Sequence, residues 1–121
     1  MTPTHYKHTK IEPIKVINSI NLGFNLGNAY KYLARAGYKG SKADDIKKAI
    51  DYIGFEIETP TFEYNNQKVS NLLDVMVTES ENTLLCMLIQ AICDYYTDDD
   101  ALNNLILSLQ EIIQNDKEPS N

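Results

Sequence analysis

The chain has 121 residues, 43% of them hydrophobic and 23% charged, which is the balance of one soluble globular domain with room for a real core. The net charge of −6 is split unevenly: nine Lys/Arg face six acids up to Pro60 (net +3), whereas two lysines face eleven acids beyond it (net −9). No apolar run reaches a membrane span, no apolar segment follows Met1 as in a signal peptide, and an extended nucleic acid is disfavoured because it would meet the acidic half. A cytoplasmic protein is expected.

The opening His5-Tyr6-Lys7-His8 has no period and reads as an extended arm. Two histidines three apart lack a third ligand nearby, so no metal site is assigned there. Pro13 suits a helix first turn, and Ile14, Ile17 and Ile20, with Val16, give that helix an apolar side up to about Asn21-Leu22-Gly23.

The next helix, from about Phe24 to Ala36 and closed by Gly37, is the centre of the functional reading. Asn28, Lys31, Tyr32 and Arg35 repeat at three, four and seven on one side, while Phe24, Tyr30, Leu33 and Ala34 are assigned to the other. Arg supplies a planar fork, Lys a point charge and Tyr a flat face, a set suited to a phosphate beside a ring. Gly27 inside this helix costs about 1 kcal/mol relative to Ala and suggests either close helix packing, the favoured cause, or a ligand approaching the backbone.

Lys39 lies in the loop Gly37-Tyr38-Lys39-Gly40, and Ser41 with Asp44 reads as the cap of a third helix. There Ile46, Ala49, Ile50 and Ile53 mark the buried side, and Asp45, Lys48 and Tyr52 repeat on a different one. If the second and third helices pack antiparallel, these two polar faces meet in an anion-binding cleft.

Thr59-Pro60 ends the helix, and residues 61–69 are expected to form a small β-hairpin about Asn65-Asn66 or an ordered loop. A short helix is expected from Ser70, and a longer one, opened by Ser80, runs over Thr83 to Tyr96. The latter is apolar nearly all round, as befits a central core element or one covered by another subunit. Cys86 and Cys93, two turns apart and so roughly 10 Å from one another, are too distant for a disulfide. Asp98-Asp99-Asp100 reads as a helix start rather than a metal site, and Leu102, Leu105, Leu109 and Ile112, widened by Ile106 and Ile113, form a bundle seam or a dimer interface. Asn115 onward is read as a polar tail.

The expected fold is therefore all-α: a compact bundle of five to six helices in a single domain, residues 1–121. Its basic part, 1–58, carries the ligand site, and its acidic part, 59–121, forms an assembly surface. No phosphate loop, dinucleotide fingerprint, nucleophile elbow or Cys/His zinc pattern occurs. The acids of the third helix do not make a convincing metal site either.

Several motifs in order, namely His5-Tyr6-Lys7, Ile11-Glu12-Pro13-Ile14, Gly23-Phe24, Gly27-Asn28-Ala29-Tyr30-Lys31-Tyr32-Leu33, Arg35-Ala36-Gly37, Lys39-Gly40 and Asp45 through Tyr52, resemble a family of small bacteriophage proteins. The resemblance covers about residues 5 to 57. That family is commonly labelled as of unknown function or as a phage nucleotide kinase. The resemblance implies a protein of the infected bacterial cytoplasm, binding a nucleotide or another phosphate-bearing small molecule. Carried over by position, the polar motif residues are His5, Tyr6, Lys7, Asn28, Lys31, Tyr32, Arg35, Lys39, Lys48 and Tyr52.

Two functional readings follow. In a nucleoside monophosphate kinase without a phosphate loop, Lys31, Arg35 and Lys39 or Lys48 clamp phosphates, Tyr32 supports the base, and Asp45 orients the nucleophile or holds Mg²⁺ brought with ATP; no metal site of the protein's own is assigned. In a non-catalytic binder that sequesters a nucleotide immune signal as an anti-defence protein, the same residues bind without turnover and no cofactor is needed. Homo-oligomerisation through the apolar C-terminal helices is expected in either case. A third reading is a protein-interaction module whose acidic half binds a basic host protein.

Overall fold

A computed structural model describes residues 9–117, and these form six α-helices with no strand among the described residues. They are α1 (Pro13–Ile20), α2 (Gly23–Arg35), α3 (Lys42–Glu58), α4 (Asn66–Thr78), α5 (Thr83–Tyr95) and α6 (Ala101–Lys117). The expected all-α bundle is what forms. His5, Tyr6 and Lys7 lie outside the described residues.

Local chemistry sets most boundaries. Pro13 opens α1, where its missing N–H costs nothing, and Asn21 closes it in a left-handed conformation (φ 58°), which an Asn side chain tolerates. The α2–α3 connection turns through Gly37 (φ 89°), and Ser41 caps α3 by accepting from the Asp44 N–H at 3.2 Å.

Three expectations for the second half need correction. The hairpin at residues 61–69 does not form: Asn65 is instead a helix cap, its side chain accepting from the Lys68 N–H at 2.8 Å, so α4 starts at Asn66 and not at Ser70. An isolated two-stranded ribbon has little to stabilise it, whereas a capped helix buries Leu72 in the core. The next helix is capped by Asn82, which accepts from Leu85 N–H at 3.1 Å, rather than by Ser80. Finally, α6 continues through Asn115 to Lys117, where a tail was expected.

One core joins all six helices. Val16 and Ile20 of α1, Leu26, Tyr30 and Leu33 of α2, and Ile46 and Ile53 of α3 pack with Leu72 of α4, Leu88 and Ile92 of α5, and Leu102 and Leu109 of α6. The most extensive pairing is α2 with α3; α5 is packed by α2, α4 and α6, which accounts for its apolar character without a second subunit. At Gly27 an added Cβ would stand 2.8 Å from Ile17 Cγ2, so this glycine lets α1 approach α2 closely.

Two buried carboxylates tie the connections to the bundle. Glu56 accepts from the backbone N–H groups of Thr61 and Phe62, each at 2.8 Å, from Thr61 Oγ1 at 2.8 Å and from Asn25 Nδ2 at 3.3 Å. Glu79 accepts from the N–H groups of Lys10 (2.6 Å) and Ile11 (3.2 Å), joining the end of α4 to the approach to α1. Backbone donors with no helical partner thereby find acceptors inside the protein.

Burial raises the pKa of the Tyr30 phenol, which also faces the negative charge of Glu79 and of Cys86. Burial likewise raises Tyr64, beside Tyr95 and Glu56, as well as the free thiols Cys86, beside Glu79, and Cys93, beside Asp94. The folded chain thus holds these protons above the ordinary values of 9.0 for the thiols and 10.0 for the phenols, while the unfolded chain releases them there. Their contribution is intact below about pH 9 and is lost as the pH rises beyond it. The urea midpoint is therefore expected to fall between about pH 8 and about pH 10.5, with tyrosinate absorbance in the folded protein lagging behind that of the denatured chain. A midpoint constant across this range would mean that these groups ionise alike in both states.

Candidate ligand site on the α2–α3 face

The short turn folds α3 back along α2 and brings their two polar stripes together. Tyr32 is the meeting point: Lys31 Nζ, Lys48 Nζ and Arg35 Cζ lie 4.9, 5.2 and 5.3 Å from its ring centroid. The Tyr52 ring from α3 stacks nearly parallel to it, with centroids 6.1 Å apart and planes at 12°. Phe24 and Phe55 meet the Tyr52 ring edge-on at 5.7 and 5.9 Å.

This corrects the placement of Phe24. It belongs to the polar side of α2, one turn before Asn28, and is 73% exposed; Phe55 is 51% exposed. The face thus combines two exposed rings with three cations, a pairing of apolar area and charge that a purely solvated helix face lacks.

Charge is left over here. Lys31 and Lys48 form no ion pair among the described residues. Arg35 donates through Nε to Asp45 Oδ1 at 3.0 Å, and its two terminal amino groups have no partner among the described residues. The side-on bond fixes the guanidinium and leaves its end-on fork available for a bidentate contact with an oxyanion.

Asp45 is only 2% exposed, and its Oδ2 has no hydrogen-bond partner among the described residues. It stands in the first turn of α3, where the helix dipole favours a carboxylate, and Arg35 supplies the countercharge. In this geometry Asp45 holds the Arg35 guanidinium in place through Oδ1. No group of three or more His, Cys, Asp and Glu among the described residues is arranged to hold a metal ion.

The remaining expected site residues are more dispersed. Asn28 lies on the same face, but its Nδ2 donates to the Phe24 carbonyl at 2.8 Å, and its side-chain oxygen has no partner among the described residues. Lys39 is exposed in the α2–α3 turn, and no ring or ion-pair contact joins it to the Tyr32 cluster. Sequence reasoning missed Phe24 and Phe55 as members of this face. The spacing of four between Phe24 and Asn28 was the available signal for the first.

Residues 1–54 match a family described as a protein of unknown function (DUF3310). The matched part is similar to that family across α1, α2 and most of α3, and it includes every member of the ring and cation cluster except Phe55. No curated protein and no solved structure matches the chain. Among the described residues no helix is long and apolar enough to cross a membrane.

Proposed function

We propose that the α2–α3 face binds a phosphate-bearing small molecule, most simply a nucleotide. The observation that supports this most is the convergence of Lys31, Arg35 and Lys48 on one tyrosine ring beside two exposed phenylalanines. The phosphate meets the cations, and the base rests against Phe24 or Phe55. Every group comes from one chain, so the reading needs no second subunit.

Whether the nucleotide is turned over is a separate step. The kinase reading rests on the resemblance to phage proteins that carry that label, and it assigns Asp45 to the nucleophile or to Mg²⁺ brought with ATP. The commitment of Asp45 to Arg35 favours binding without turnover, as in a protein that sequesters a nucleotide signal in an infected bacterium.

The test is calorimetric titration of the protein with a panel of nucleoside mono- and diphosphates, followed by incubation with ATP and Mg²⁺ and mass spectrometry of the products. Lys31→Ala and Lys48→Ala are each expected to weaken binding about tenfold, the loss of one charge-assisted contact. Phe24→Ala should weaken nucleotides while sparing inorganic phosphate. New diphosphates would establish the kinase, and bound but unaltered nucleotide the sequestering protein. Affinities unchanged in both lysine variants would remove this face as the site.

A further inference from the structure

On the side of the molecule built by α4, α5 and α6, a shallow groove of about 520 Å³ runs along the α5–α6 seam. Its apolar lining includes Met76, Met87, Ala91 and Leu105, its polar margin Gln90, Asn104 and Ser108, and its acids Asp94 and Asp98. Among the described residues no Lys or Arg lines it. The acids stand where α5 gives way to α6, so the groove has one charged end, with Asp99 and Asp100 close by in sequence.

We infer that this groove docks an amphipathic helix of another protein, with apolar residues laid along the seam and Lys or Arg at the end that meets Asp94 and Asp98. Length and charge both select this occupant. From Thr83 to Asp94 the groove follows α5 for about 16 Å at 1.5 Å per residue, room for roughly three turns of a helix. Its methionines are the adaptable side chains that accept varied apolar partners.

Both carboxylates keep acceptor capacity. Asp94 Oδ1 receives Gln90 Nε2 at 2.9 Å and Asp98 Oδ1 receives the Asp100 N–H at 3.0 Å, while the second oxygen of each has no partner among the described residues. A second copy laid groove to groove brings further carboxylates and no cation, in a half of the chain that already carries a net −9. The charge therefore selects a basic partner over self-association.

The test uses the full chain and a synthetic peptide of about 14 residues, with leucines on one helical face and lysines on the other. Methionines labelled with ¹³C in their methyl groups place reporters in the groove, since Met76 and Met87 are the only methionines besides Met1. The Met76 and Met87 signals are expected to shift saturably with the peptide. The double variant Asp94→Asn/Asp98→Asn should bind about tenfold more weakly, and Asn104→Arg, at an exposed groove position, should abolish the shifts while leaving helicity intact.

A peptide with glutamates in place of the lysines should not bind. Unmoved methyl signals, affinity indifferent to both variants, or equal binding of the acidic peptide would overturn the proposal. Concentration-dependent shifts without peptide, matched by a dimer in sedimentation, would overturn it in favour of a second copy.

Discussion

Glu56→Ala is expected to lower the unfolding free energy by about 3–5 kcal/mol, the largest loss from any single side chain outside the apolar core. The carboxylate is 3% exposed and satisfies two backbone N–H groups, a hydroxyl and an amide. Removing it strands the Phe62 N–H in a buried position and frees the segment that places the Phe62 ring, which is itself buried and packed edge-on against Tyr64 at 4.6 Å. Glu56→Gln should recover only part of the loss, because its amide supplies one acceptor where two oxygens served. Urea unfolding measures both against Glu58→Ala, an exposed residue two positions on, for which a change within about 0.5 kcal/mol is expected. A loss for Glu56→Ala no larger than that control would mean that Phe62 holds the segment by burial alone.

The second large effect falls on Arg35. Arg35→Ala is expected to cost about 2–3 kcal/mol as well as ligand affinity, because it leaves the Asp45 carboxylate buried without a countercharge. The figure is set below that of a fully buried pair because the Arg35 side chain is 38% exposed and water shares its charge. Arg35→Ala/Asp45→Ala should be more stable than the sum of the single losses by about 1–2 kcal/mol, since no orphan charge remains. Additive losses in that cycle would show that the two groups do not depend on each other. Lys31→Ala and Lys48→Ala, with no buried partner to orphan, change affinity without this stability cost and report on binding more cleanly.

The residues whose roles were legible in the sequence are those where period and chemistry agree. Ser41, Pro13 and Gly37 announced helix ends, and the repeat of Ile46, Ala49 and Ile53 marked the core side of α3. Two facing stripes on α2 and α3 could be paired in advance because the turn between them is short. Phe24 was misplaced because its apolar character outweighed its spacing: it lies four before Asn28 and seven before Lys31, squarely on the polar stripe. Glu56 was missed for the converse reason. It continues the buried repeat 46, 49, 53, 56, yet a carboxylate there makes sense only once the donors of Thr61 and Phe62 are in view. Asn65 illustrates a third limit, since Asn-Asn serves a tight turn and a helix cap alike and only the burial of Leu72 decides between them.

The six-helix core bears on how a chain of this kind can diverge. The segment similar to a known family ends inside α3, but the apolar sides of α1, α2 and α3 are closed by α4, α5 and α6 respectively, and Glu79 reaches back to the backbone of Lys10 and Ile11. Residues 9–54 therefore rely on the second half of the chain to cover their apolar sides. In this chain the second half supplies the lid over Leu33, Ile46 and Ile53, a role that constrains its sequence mainly by shape and apolarity. The similarity to that family thus falls on the part that carries the rings and cations, while the part that covers it presents a groove of its own along α5 and α6.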